Sequence, residues 1–282
     1  MTPAPLPDLL IDPAVRAALA EDLGRAGDVT AAALLPGDER MSFTFGARAD
    51  GRVAGLACAR LAIAALDPTA RFEVVTPDGA DVAKGDLIAR VEGVTRSVLS
   101  AERVALNFLG RLCGVATLTR TYVRETAGTK AKIVCTRKTT PGLRALEKYA
   151  VRCGGGTNHR YSLDDAILIK DNHVAACGGV REALKRARAG VGHLMKIELE
   201  VDSLEQLDEA LPFTPDVILL DNFSLADLAE AVRRADGRVP LEASGGVNLS
   251  TVGAIARTGV DAISVGALTH SAPVLDIGLD AA

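Results

Sequence analysis

The sequence predicts an α/β protein whose larger part is a parallel α/β barrel of about six strands. Three observations carry this. After Thr129, apolar runs of strand length recur, each followed by a segment of helical periodicity. Strands alternating with helices specify parallel pairing with right-handed crossovers. The runs are 132–136, 166–169, 193–201, 216–220, 239–243 and 261–265, fewer than the roughly eight of the commonest barrels. Finally, the residues ending these runs are charged or glycine-rich, as expected where ligands bind in such folds.

The bulk numbers are those expected of an ordinary soluble globular chain. It has 282 residues, 48% of them hydrophobic and 24% charged, with a formal net charge of −4. That length allows two domains, and the composition is that of a folded globular protein. A sequence pI of 5.7 argues against a general nucleic-acid binder. No apolar run reaches the ~18 residues of a membrane span, and the N-terminus lacks a basic start with an apolar core. The five cysteines (58, 113, 135, 153, 177) form no CxxC, so neither a disulfide framework nor a zinc ribbon is expected. Cytoplasm is the expected location. The four histidines have no metal-site spacing.

In chain order, residues 1–40 read as short helices, one opening at Asp12-Pro13 with Val15, Leu19 and Leu23 on one face. From Met41 to Val94 short strands alternate with turns, and ARLAIAAL between them reads as a helix. Residues 74–93 have the strand shape of a biotinyl or lipoyl carrier hairpin. Lys84, however, lies in a Lys-Gly-Asp turn without carrier flanks. Residues 97–122 form a long helix with Leu99, Val104, Leu106 and Leu109 on its apolar face. Arg103 and Arg111 fall on its polar parts, where a lone arginine is usually a surface residue. Helices then begin near Thr140, Gly179, Ser203, Ser224 and Leu249. Ser203 with Gln206 fits a capping box.

The strand ends carry the chemistry. In MKIELEV, period-two alternation puts Lys196, Glu198 and Glu200 on one face. Charges inside a barrel must be paired or bind something. Glu200 is nearest the C-terminal end and is the candidate ligand, whereas Lys196 and Glu198 pair with each other or with neighbours. Asp221 ends the next strand. Two hard oxygen donors on adjacent strands suit Mg2+ held partly by phosphate and water. Ser244-Gly245-Gly246 and Val265-Gly266-Ala267 end the last two strands. There, glycine lets backbone N–H groups approach a phosphate, and a following helix N-terminus favours the anion.

Between Arg137 and Arg160 lie six cations (Arg137, Lys138, Arg144, Lys148, Arg152, Arg160) and one acid, Glu147. In an acidic chain this excess suits a pocket for a small, multiply charged anion. The helix after Thr140, with Leu143, Leu146 and Ala150 as its inner stripe, stops at Gly154-Gly155-Gly156. Three glycines cost chain entropy, which a backbone bending close to a ligand would justify. Asn158, His159 and Arg160 follow at once.

The ordered motifs TRKTTPGLRALEKYAVRCGGGTNHR, LIKDNH, ELEVDSLEQL, LLDNFS, EASGGVN and VGALTHS resemble the quinolinate phosphoribosyltransferase family. The likeness extends to SAERVALNFL and the LDIGLD tail. Cys135 stands where that pattern has an acid. The resemblance implies an N-terminal α/β sandwich domain (1–112), a catalytic incomplete parallel α/β barrel (113–269) and a tail (270–282) returning to the first domain. It implies a homodimer, or a larger oligomer of dimers, with the long helix contributing to the dimer site. It places quinolinate on Thr136, Arg137, Lys138, His159 and Arg160, with Arg103 supplied by the partner chain. It places phosphoribosyl pyrophosphate and Mg2+ near Lys170, Glu200 and Asp221, and the 5-phosphate at 244–246 and 265–267. Lys138, Lys170, Glu200 and Asp221 are the implied catalytic set.

The implied reaction converts quinolinate and phosphoribosyl pyrophosphate to nicotinate mononucleotide, pyrophosphate and CO2. Other readings are a molybdenum-operon relative of the same fold, a barrel aldolase using Lys170 as a Schiff base, and a carrier module at 74–93.

Overall fold

A computed structural model describes residues 3–35 and 37–282, leaving Met1, Thr2 and Pro36 outside the described residues. The elements run α1 (Asp8–Leu23), α2 (Val29–Leu34), β1 (Arg40–Ala47), β2 (Gly51–Arg52), α3 (Leu56–Leu66), β3 (Arg71–Val74), β4 (Asp81–Val82), β5 (Leu87–Val94) and α4 (Thr95–Glu125). They continue with β6 (Lys132–Val134), α5 (Arg144–Cys153), β7 (Ile167–Ile169), α6 (Asp171–Cys177), α7 (Val180–Ala189), β8 (Ile197–Val201) and α8 (Leu204–Ala210). The last are β9 (Val217–Asp221), α9 (Leu225–Ala235), β10 (Leu241–Ser244), α10 (Val252–Arg257), β11 (Ala262–Ser264), α11 (Ala267–His270) and β12 (Ile277–Ala281).

Two compact units result. The first comprises residues 1–120, 139–155 and 268–282; the second comprises 121–138 and 156–267. In the first unit the sheet order is β12-β1-β5-β3, all antiparallel. Phe43, Phe45, Ile88 and Val91 are buried on it, and Phe45 meets Phe72 with ring centroids 5.8 Å apart. The C-terminal tail closes this sheet, with Phe45 opposite Leu279. The hairpin expected at 74–93 belongs to this architecture: Lys84 donates its amide to Asp50 at 2.8 Å, and β5 pairs with β1 and β3.

Three local expectations are corrected. Helix α1 begins at Asp8 and contains Pro13. Pro13 lacks the N–H that would bond the Leu9 carbonyl, and Leu9 is 82% exposed. Lys170 is followed directly by α6, where the sequence suggested no helix before Gly179; the His173 ring caps it by accepting from the Lys170 amide at 3.0 Å. Arg111 is not a surface arginine. Its Nη2 donates to Glu147 Oε1 at 2.7 Å and its Nη1 to the Ala272 carbonyl at 3.1 Å.

Helix α5 accordingly has more than an apolar stripe inside, because Glu147 and Lys148 are wholly buried beside Leu146 and Ala150. Glu147 also accepts from the Thr140 amide at 3.1 Å and hydroxyl at 2.8 Å. Removing one partner of a buried pair strands the other charge. Arg111 keeps 22% exposure, so Glu147→Ala is expected to cost about 2–3 kcal/mol in urea unfolding, at the low end for such pairs. A loss below roughly 0.5 kcal/mol would show that the network holds nothing.

The second unit is the parallel sheet, ordered β6-β11-β10-β9-β8-β7. β6 and β7 do not pair among the described residues. Thr157 instead bridges in parallel to Val134, and Arg160 Nη1 donates to the Ala166 carbonyl at 2.9 Å. The 157–166 segment thus runs from β6 to the residue before β7. The outward faces are apolar: Ile197, Leu199, Ile218, Leu220 and Ile263 are fully buried. α7, α8 and α9 start within a residue of the predicted signals. Ser203 accepts from the Gln206 amide at 3.4 Å, but the Gln206 side chain accepts from Asp202, so half of the capping box forms.

Candidate functional site

Parallel strands of one sheet put all their C-terminal ends on one edge. Thr136, Arg137 and Lys138 follow β6, Lys170 follows β7, and Glu200 and Asp221 sit at the ends of β8 and β9. Ser244 ends β10, and Val265, Gly266 and Ala267 follow β11. All these predicted residues therefore share one rim of the second unit. Arg103 lies in the first unit, exposed on α4.

The cation-rich stretch divides. Arg137, Lys138 and Arg160 belong to the second unit, whereas Arg144, Lys148 and Arg152 stand on α5 in the first. Arg144 Nε donates to the Thr139 hydroxyl at 3.0 Å, and Lys148 is fully buried. The expectation of one six-cation cup is thereby reduced, within the second unit, to Arg137, Lys138, Arg160 and Lys170.

Arg137 and Arg160 are close enough to repel. Partial burial, and then the Arg137 charge, lower Arg160 from the ordinary arginine value, opposed by Glu198 and Asp165. Two guanidiniums held together at a rim form a site for an anion with more than one charge. Cys135 helps to set this geometry: its thiol donates to Asn158 Oδ1 at 3.4 Å, next to His159 and Arg160.

His159 uses both ring nitrogens inside the protein. Nδ1 accepts from the Arg160 amide at 2.8 Å, and Nε2 lies 2.8 Å from Glu198 Oε2 and 3.7 Å from Glu242 Oε1. Nδ1 is thus engaged as an acceptor, and Nε2 points to the two carboxylates. Glu198 and Glu242 are 7% and 5% exposed. The sequence left Glu198 to pair with a neighbour, and His159 is that neighbour; Lys196 pairs with Asp216 at 2.8 Å. Glu242 was passed over inside VPLEA. Its signal was available, since an acid within an apolar barrel strand must find a partner.

Lys170 Nζ meets Glu200 Oε2 at 2.5 Å. Lys170 is 47% exposed, so the pair is weak in water and readily exchanged. Asn222, with φ 58°, donates its side-chain N–H to Asp221 Oδ2 at 2.7 Å, and its amide donates to the Ser244 carbonyl at 2.9 Å. The ends of β9 and β10 are thereby locked. Gly245 has φ 96°, and a Cβ there would fall 2.1 Å from Asn222 Oδ1. Gly246 has φ 59° and open space where a Cβ would stand. The two positive φ values are ones glycine adopts without strain, and they keep the backbone free of side chains at the end of β10. The expected help from a following helix is absent at 246, because α10 starts only at Val252.

The comparisons decide the family. The C-terminal domain model of quinolinate phosphoribosyl transferase matches residues 115–280, and the N-terminal domain model matches 28–113. The chain belongs to the quinolinate phosphoribosyltransferase family. A nicotinate-nucleotide pyrophosphorylase [carboxylating] of Mycobacterium leprae is 47% identical over 271 residues, 94% of this chain and 95% of that protein. A probable nicotinate-nucleotide pyrophosphorylase of Bacillus subtilis is 44% identical, over 92% and 89%. The structure of the nicotinate-nucleotide pyrophosphorylase from Francisella tularensis superposes with TM-score 0.93 at 38% identity, covering 99% of this chain and 98% of the other. That of the Streptococcus pyogenes homologue gives 0.95 at 38%, covering 99% and 100%. As a quinolinate phosphoribosyltransferase-family fold, the mixed antiparallel sheet plus six-stranded parallel sheet is accounted for throughout. Neither an aldolase nor a carrier reading has comparable support.

Proposed function

We propose that the protein is a carboxylating nicotinate-nucleotide pyrophosphorylase of NAD biosynthesis, joining quinolinate to phosphoribosyl pyrophosphate. The observation that supports this reading best is the Arg137–Arg160 pair at the strand-end rim, facing the same edge as Glu200 and Asp221. Two adjacent guanidiniums match two adjacent carboxylates on a pyridine ring, and Lys138 adds a third cation. His159 orients Arg160 through its amide contact.

The chemistry needs little acid–base help. The pyridine nitrogen carries its own lone pair, so no residue must remove a proton before it attacks the ribose carbon. The leaving group is multiply anionic, and Lys170 is the cation positioned to receive it. Ser244, Gly245 and Gly246, with Val265, Gly266 and Ala267, are assigned to the 5-phosphate. Glu200 and Asp221 supply only hard oxygens. This donor set fits Mg2+ shared with diphosphate and water. When bound, Mg2+ neutralises charge on the departing pyrophosphate. After N-alkylation the ring nitrogen is cationic and stabilises, as an ylide, the electron pair left on the neighbouring carbon when CO2 leaves; that carbon then takes up a proton from solvent to give nicotinate mononucleotide. The residues need only hold the ring while this happens.

Quinolinate should be consumed and nicotinate should not, because one carboxylate leaves one guanidinium unpaired. Equal turnover of both pyridines, by mass detection of the mononucleotide, would sink the assignment.

Arg103 is proposed to act in trans within a homodimer, and the location is proposed to be cytoplasmic. The expected result for dimers mixed in equal amounts from Arg103→Ala and Lys170→Ala chains is recovery of about a quarter of native activity, because statistical assortment makes about half of the dimers mixed and each mixed dimer has one intact site of two. No recovery above either parent would place Arg103 in its own chain's chemistry or outside it.

A further inference from the structure

Beneath the rim cations lies a cluster that the reaction as described does not use. Glu198 on β8, Glu242 on β10 and His159 bring their polar atoms within 4.8 Å of one another. Glu198 Oε1 and Glu242 Oε1 are buried without a hydrogen-bond partner. Two buried carboxylates side by side, with one imidazole between them, cannot both stay ionised cheaply.

We propose that Glu242 is held as a neutral acid, and that the Glu198–His159–Glu242 cluster is a positioning unit that fixes Arg160 and sets the charge beneath the bound dianion. The inference deepens the quinolinate reading and rests on it. The groups facing Glu242 are Glu198 from β8, His159 from the 157–160 segment and Ser264 from β11. Burial, and then the Glu198 charge, push Glu242 up from 4.5 to about 7, against the opposing pull of His159 and Ser264.

The sign of the coupling follows. The folded value lies above the unfolded one, so this group's contribution to stability is full below about 4.5 and is lost as pH rises through about 7. Loss of the proton also places a new negative charge under Arg160. Quinolinate binding therefore weakens on the alkaline side, and, reciprocally, a bound dianion draws a proton back onto Glu242. The same three atoms could instead surround a divalent ion, but an ion would have to break the His159–Glu198 hydrogen bond and draw the atoms together.

Three measurements on the full chain test this. Infrared spectra of the native protein at pH 6 should show a protonated carboxyl band that shifts in heavy water and is absent from Glu242→Gln. Calorimetric titration with quinolinate near pH 7.5 should show buffer-dependent proton uptake that vanishes in the same variant. Between pH 6 and pH 8.5 the native quinolinate KM should rise by roughly tenfold, as one added charge at such range allows. The Glu242→Gln value should stay flat, and the phosphoribosyl pyrophosphate KM should follow one curve in both proteins. No such band in the native protein overturns the proposal without need of any variant. So does a stoichiometric metal lost on Glu242→Gln, proton uptake that persists in Glu242→Gln, or identical pH profiles for the two quinolinate KM values. If native protein turns over no quinolinate while the band is present, the failure lies with the substrate reading instead.

Discussion

Arg137→Ala should reduce kcat/KM for quinolinate by roughly 10²–10³, while changing the KM for phosphoribosyl pyrophosphate by less than about threefold. A charge-assisted hydrogen bond contributes about 1.5–3 kcal/mol, and a bidentate guanidinium makes two. Arg160 and Lys138 remain, so the loss is large without being total. The Arg137→Lys variant should recover little, because a point charge cannot copy the planar fork. With Arg137 gone, the repulsion that lowers Arg160 is also relieved. Steady-state kinetics with each substrate varied in turn read the split. Equal losses on both substrates would remove Arg137 from the pyridine site.

The second large effect falls on Lys170→Ala, expected to lower kcat by about 10³. Removing a preorganised charge that meets developing negative charge typically costs about 3–4 kcal/mol of transition-state stabilisation. In the substrate-free protein this amine rests on Glu200 at 2.5 Å, an exposed pair of small net worth. Its removal should therefore leave stability nearly unchanged and should free the Glu200 carboxylate. The apparent Mg2+ requirement in single-turnover assays should then shift, whereas quinolinate affinity should not. A variant that loses quinolinate binding but keeps its rate of chemistry would reassign Lys170 to the pyridine.

Much of this was legible in the sequence, for identifiable reasons. Period-two alternation in MKIELEV put Glu198 and Glu200 inside because strand geometry leaves no other choice. The strand-end residues could be read because ligand sites in parallel sheets gather there. What escaped were contacts between residues far apart in sequence. Arg111 and Glu147 are 36 positions apart, and neither residue type nor spacing announces their pairing. Glu242 looked like an interruption in an apolar run until the barrel interior put His159 within 3.7 Å of it. The charge run 137–160 misled in part, since a linear count cannot say that α5 carries Lys148 into a different core. Asp12-Pro13 reads as a helix start because proline favours the first turn, whereas α1 starts at Asp8 and carries Pro13 in its second turn, with Leu9 exposed.

The decisive measurement is release of labelled CO2 from quinolinate labelled only in the carboxyl beside the ring nitrogen, with one component omitted at a time. Release should occur only when phosphoribosyl pyrophosphate and Mg2+ are both present, in step with pyrophosphate and nicotinate mononucleotide. CO2 evolved from quinolinate alone, or pyrophosphate formed with the label retained in the product, would contradict it.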